Sequence, residues 1–153
     1  YIAAQNGHEA VVRTLIELGA DVNQASDDGT TPLCVAALEG HEAIVRALIE
    51  LGTDINMAND DGVTAMYVTA YYGREAVVRA LIELGADVNK AMDGGATPLC
   101  AAARNGHETV VRALIETGAD INKARDAGVT ARVIAAAKGH AAIIQLLRDA
   151  GAV

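Results

Sequence analysis

Fourteen of the fifteen glycines in this 153-residue chain fall into three series with a spacing of 33 residues. One is Gly7, Gly40, Gly73, Gly106 and Gly139; a second is Gly19, Gly52, Gly85, Gly118 and Gly151; a third is Gly29, Gly62, Gly95 and Gly128. Only Gly94 stands outside them. Asp21, Asp54, Asp87 and Asp120 keep the same step, as do Asn23, Asn56, Asn89 and Asn122, and Thr31, Thr64, Thr97 and Thr130. A fixed period of this length implies a stacked array in which each unit contacts mainly its neighbours.

The unit over residues 26–58 is readable in physical terms. Asp27-Asp28-Gly29 is a turn signal. Thr31 offers a side-chain oxygen as a helix N-cap, and Pro32 occupies the first helical position, where its missing N–H costs nothing. A short helix is predicted from Leu33 to about Leu38, stopped by Gly40. A second is predicted from about Glu42 to Leu51, with Ile44, Val45, Leu48, Ile49 and Leu51 on one face and Gly52 as its stop. Neither is long enough to be stable alone, so each buries its face against neighbouring units.

Composition narrows the function classes. Hydrophobic residues make up 52%, which excludes a disordered chain, and aromatics only 3%, so the core is built from Ala, Val, Leu and Ile. A net charge of −8 argues against binding a nucleic-acid backbone or an anionic membrane surface. No window reaches the apolar length of a membrane span, and the first residues lack the basic region and apolar core of a signal peptide. Two separated cysteines make no disulfide framework. The chain is therefore expected inside the cell, in the cytoplasm, and as a monomer.

Gly29-Thr30-Thr31-Pro32-Leu33-Cys34-Val35-Ala36-Ala37, then Gly40-His41, then Gly52-Thr53-Asp54-Ile55-Asn56 resemble the ankyrin repeat family. The frame returns as Gly95-Ala96-Thr97-Pro98-Leu99-Cys100-Ala101-Ala102-Ala103 and Gly106-His107. The resemblance implies an all-α fold, an ankyrin-repeat α-solenoid of helix-turn-helix units joined by β-turn loops. Residues 1–153 are expected to form a single array, with a partial first unit at about 1–25, units at 26–58, 59–91 and 92–124, and a terminal unit at 125–153. The family's usual His near the start of the first helix is replaced by Cys34, Tyr67, Cys100 and Val133, so the link that it makes between neighbouring loops must be replaced or absent. The first unit lacks its turn, which suggests a fragment of a longer array or an undefined start. Arg132, in the phase of Leu33, Met66 and Leu99, suggests a polar terminal unit. Thr-Pro-Leu-Cys alternates with Thr-Ala-Met-Tyr and Thr-Ala-Arg-Val, hinting at a duplicated two-unit block.

No catalytic constellation stands outside the period, so no enzyme, cofactor or metal is expected. His8, His41, His107 and His140 share one phase, with Arg74 in the missing place. Packed helices lie about 8–10 Å apart, too far for equivalent histidines to share a zinc ion. Each is read instead as closing the loop between its unit's two helices. Cys34 and Cys100 lie two units apart, roughly 20 Å, beyond disulfide reach. The resemblance also implies that Asn23, Asn56, Asn89 and Asn122 match positions at which an oxygenase can hydroxylate ankyrin asparagines. The plainer reading is that these side chains bond the turn backbone and tolerate its unusual dihedrals.

In the family, partners bind a concave groove lined by turn tips and first-helix ends. Carried over by position, the tips are Asp27, Asp28 and Thr30; Asp60, Asp61 and Val63; Asp93, Gly94 and Ala96; and Asp126, Ala127 and Val129. The helix ends are Gln5 and Asn6, Leu38 and Glu39, Tyr71 and Tyr72, Arg104 and Asn105, and Ala137 and Lys138. Of these, Asp27, Asp28, Asp60, Asp61, Asp93, Leu38, Glu39, Tyr71, Tyr72, Arg104 and Asn105 are the expected contacts. The aspartate row either attracts a partner with a basic surface or simply makes good turns. Tyr71 and Tyr72 are either a central anchor or a surface pair packed on its neighbour. A non-catalytic protein-interaction module is the leading expectation. The alternative is a structural or engineered repeat scaffold with no dedicated partner.

Overall fold

The computed structural model describes residues 1–153 and contains ten α-helices and no strands. They are α1 (Ile2–Gln5), α2 (Glu9–Glu17), α3 (Pro32–Glu39), α4 (Glu42–Glu50), α5 (Ala65–Tyr72), α6 (Glu75–Glu83), α7 (Pro98–Asn105), α8 (Glu108–Glu116), α9 (Ala131–Lys138) and α10 (Ala141–Asp149). The helices alternate between two rows. Each odd-numbered helix packs on the next odd-numbered one, each even-numbered helix on the next even-numbered one, and the two helices of a unit on each other. The result is an all-α repeat solenoid.

Local chemistry explains the punctuation. The side-chain oxygens of Thr31, Thr64 and Thr97 accept the backbone N–H of Cys34, Tyr67 and Cys100, capping α3, α5 and α7 as the sequence predicts. Gly40, Gly73, Gly106 and Gly139 end the odd-numbered helices in the left-handed region. Gly94, the glycine outside the three series, is also left-handed, at φ 80°. Its phase mate Ala127 adopts φ 63° without that freedom.

The two rows bury different residues. In the odd-numbered row, Ala36, Ala37, Ala70, Ala102 and Ala103 are wholly buried, so small side chains let these helices approach closely. Thr69 replaces alanine there, and its hydroxyl is satisfied by the carbonyls of Ala65 and Met66. In the even-numbered row, Ile44, Val45, Leu48, Val77, Val78, Leu81, Val110, Val111 and Leu114 form the apolar stripe. Cys34 and Cys100 are buried free thiols, and burial pushes the Cys34 thiol above its ordinary range.

Neighbouring units are stitched at three levels. At the turn tips the backbone does the work: Asp60 N–H donates to Asp28 O (3.2 Å), Asp93 N–H to Asp61 O (2.9 Å) and Asp126 N–H to Gly94 O (3.3 Å). In the slot of the missing family histidine, the Cys34 thiol is a loose 3.9 Å from Val63 O.

At the second level the histidines correct the sequence reading. They do not close their own loops. His41 Nε2 meets Gln5 O at 3.0 Å, His107 meets Tyr71 O at 2.9 Å and His140 meets Arg104 O at 3.1 Å, each 36 residues back in the preceding unit. Arg74 does the same from the same slot, its Nε donating to Leu38 O at 2.9 Å. The rings fit against left-handed glycines, and a Cβ added to Gly73 would stand 2.5 Å from His107 Nδ1.

At the third level the asparagines also depart from expectation. Their own turns are held by the aspartates: the N–H groups of Asn23, Asn56, Asn89 and Asn122 donate to Asp21, Asp54, Asp87 and Asp120. None of the four asparagines has a positive φ. Asn56 Oδ1 accepts instead from Asp87 N–H (2.8 Å) and Asn89 Oδ1 from Asp120 N–H (2.7 Å), each 31 residues on. Lys90 and Lys123 reinforce this seam by donating to the carbonyls of Asn56 and Asn89. Asn23 breaks the pattern. Its Oδ1 is buried without a partner, as is the hydroxyl of Thr53, the one residue in its phase that is not alanine.

Candidate functional site

Along α3, α5 and α7 the side chains before the last turn are buried or half-buried, and the last residues of each helix reach the surface beside the turns, whereas α9 is open along much of its length. Of the helix-end residues named from sequence, Asn6, Glu39, Tyr72, Arg104, Asn105, Ala137 and Lys138 are exposed, while Gln5, Leu38 and Tyr71 are half-buried. The aspartates at the tips, Asp27, Asp28, Asp60, Asp61 and Asp93, are all exposed, and the backbone rail sets them in one row.

Their side chains are not equivalent. Asp28 accepts from the Ser26 hydroxyl at 2.6 Å and from Thr30 N–H at 3.1 Å. The Ser26 bond, with that from Thr30, holds its carboxyl below the usual carboxylate range. Asp28 is thus committed to its own turn. Asn59 takes the same turn-holding role in the next unit, accepting from the N–H groups of Asp61 and Val63, which leaves the carboxylates of Asp60 and Asp61 outside those bonds. The Asn105 amide is likewise occupied, donating to Ala101 O at 3.0 Å.

Tyr71 and Tyr72 meet edge to face, their ring centroids 5.0 Å apart. Tyr72 is 51% exposed, and Tyr71 is pinned through its backbone carbonyl by His107. Tyr67, one turn earlier, is half-buried. Burial raises its phenol above the ordinary range, and the positive charges of Arg104 and Arg125 pull it back.

Between turns and helix ends runs a cleft. Over the first three helix pairs it holds a cavity of about 230 Å³, lined by Gln5, Cys34, Leu38, Asn59, Val63 and Val68 among others. Gln5 and Leu38 are the helix-end residues named from sequence that line it. Toward α9 the cleft holds a second cavity of about 290 Å³, lined by Arg104, Arg125, Val129, Val133, Ile134, Ala137 and Lys138. Sequence reasoning placed Arg104, Ala137 and Lys138 at helix ends and Val129 at a turn tip, and missed Arg125. Lys138 ends its helix in the phase of Glu39, Tyr72 and Asn105. Arg125 precedes its turn tip, in the phase of Ser26, Asn59 and Met92, and nothing local marks it.

The arrangement offers recognition surfaces: a carboxylate row, an aromatic pair and a cation-rimmed apolar cavity. No group of three or more His, Cys, Asp or Glu side chains converges as a metal site. No helix is long and apolar enough to cross a membrane. The family model described as ankyrin repeats (3 copies) matches residues 1–92 and 89–153. No curated protein matches the chain.

Proposed function

Since the chain belongs to the ankyrin repeat family, whose repeats generally mediate protein–protein interaction and are generally non-catalytic, we propose that it binds a partner protein along the cleft between its turn tips and first-helix ends. The observation that carries this reading is the Tyr71–Tyr72 pair. A half-exposed tyrosine, braced edge-on by a second ring, stands in the middle helix pair of five. Tyrosine supplies a large amphipathic contact at small cost in side-chain entropy, and binding energy concentrates near interface centres. Leu38 and Arg104 flank it on either side of the array. The carboxylates of Asp60 and Asp61 favour a basic stretch of the partner on that side and speed encounter more than they add affinity.

We further place the chain as a monomer in the reducing interior of the cell, the cytoplasm, with residues 1–153 as one array; the two buried free thiols support that compartment. The test is a random peptide library displayed on phage and panned on the immobilised chain. Tyr71→Ala together with Tyr72→Ala is expected to weaken the enriched peptides at least about tenfold while circular dichroism stays unchanged. Undiminished binding by that variant overturns the site. Failure of any peptide to enrich favours a scaffold with no dedicated partner.

A further inference from the structure

Cations are scarce in a chain of net charge −8, and most are tied down. Of the twelve lysines and arginines, Arg13, Arg46, Arg79 and Arg112 pair with glutamates on the even-numbered helices. Arg74, Lys90, Lys123 and Arg132 donate to backbone carbonyls. Arg104, Arg125, Lys138 and Arg148 alone have no side-chain partner of either kind. Three of these four, from three separate segments, line the same cavity of about 290 Å³. Only Arg148, on α10, lies elsewhere.

The cavity is apolar beneath its charged rim. Val129, Val133, Ile134 and Ala137 complete the lining, and Val133 is 46% exposed, whereas Cys34 and Cys100 in its phase are buried. Asp126 follows Arg125 in sequence but forms no ion pair with any of the three cations. Three like charges around a low-polarity surface repel one another, and an anion placed among them relieves that repulsion. Guanidinium groups favour carboxylates through paired hydrogen bonds. The helix ends also change sign along the cleft, from Glu39 through Tyr72 to Arg104 and Lys138.

We propose that the α7–α9 end of the cleft receives an acidic segment of the partner protein, with an apolar side chain on Val129, Val133 and Ile134 and a carboxylate among Arg104, Arg125 and Lys138. This assignment rests on the cleft being the partner site, and it deepens that reading by fixing polarity. The partner segment lies with its basic part toward Asp60 and Asp61 and its acidic part toward α9. A nucleic-acid strand is disfavoured, because its phosphates would run from this cavity onto the aspartate row.

The probes are a fluorescein-labelled peptide of alternating glutamate and leucine, its lysine–leucine counterpart, and a labelled oligothymidylate, each titrated onto the full chain at low salt. The glutamate peptide is expected to bind, to lose at least about tenfold in affinity with Arg104→Glu plus Lys138→Glu, and to weaken as salt is raised. Arg148→Glu, which makes the same charge change per residue away from the cavity, is expected to leave it unchanged. Failure of the glutamate peptide to bind, insensitivity to the double variant, or equal loss with Arg148→Glu overturns the proposal, as does preferential binding of the oligothymidylate. If library peptides still depend on Tyr71 and Tyr72 while these results go the wrong way, the cleft reading stands and the acidic-segment assignment alone falls.

Discussion

Along the even-numbered row, α4, α6 and α8 differ from one another at only two positions, Ala43/Ala76/Thr109 and Ile44/Val77/Val110. Along the odd-numbered row, α3, α5 and α7 share a single residue in all three copies, the alanine at Ala37, Ala70 and Ala103. Over these three copies both rows obey the same period, yet one is nearly constant and the other varies. The constant row supplies amphipathic packing and a fixed set of Glu–Arg pairs. The variable row needs only small buried residues along its length to close the stack, so its exposed ends are free to carry recognition. The array is held by one set of helices and given its identity by the other.

The strongest way to break this division is Leu81→Ala in α6. Leu81 is fully buried, and its loss should cost about 2–5 kcal/mol in urea unfolding of the full chain; a cost well under 1 kcal/mol would mean that the even-numbered row is not the anchor. Next, Ala103→Leu should cost about 1–3 kcal/mol by overpacking the close approach of α7 to its neighbours. If the leucine were tolerated, close packing would not explain why alanine stands at this phase in every copy.

A smaller effect compares two copies of one cap. Thr97→Ala should cost about 1 kcal/mol, because its oxygen accepts Cys100 N–H. Thr130→Ala should cost little or be neutral, because the Thr130 side chain makes no cap bond and its buried hydroxyl has no partner. The smallest effect is expected from Arg46→Ala. Arg46 bridges Glu42 within its helix and Glu83 in the next unit, but all three side chains are well exposed. The change in melting temperature should be below that of Thr97→Ala and should vanish in high salt.

Period, caps and helix stops were legible in the sequence because each depends on residues within a few positions of one another. Thr31 with Pro32 and Gly40 announces α3 without reference to anything distant. The stitching between units was not legible. His41 and Asn56 were both read as serving their own loops, because a sequence lists which residues recur but not whether a side chain leans toward the unit before or the unit after. The histidine leans back and the asparagine leans forward. The candidate site was half legible for a related reason. Tyr71, Tyr72 and Arg104 occupy helix ends, a phase that can be picked out in advance. The cation-rimmed cavity joins Arg104, Arg125 and Lys138 from three segments, and it stands out only once the other cations are seen to be engaged.

The backward reach of the histidines constrains how such an array can change length. The rings of His41, His107 and His140 each bond a carbonyl 36 residues earlier, one full period plus three. Removing or inserting a complete 33-residue unit brings every remaining ring to an equivalent carbonyl and an equivalent left-handed glycine. A deletion that is not a multiple of 33 residues shifts the glycine, the ring and the carbonyl relative to one another along the chain at the junction. Gain or loss of whole units, as by unequal recombination between copies, is therefore a large change in length that the architecture absorbs by its own symmetry.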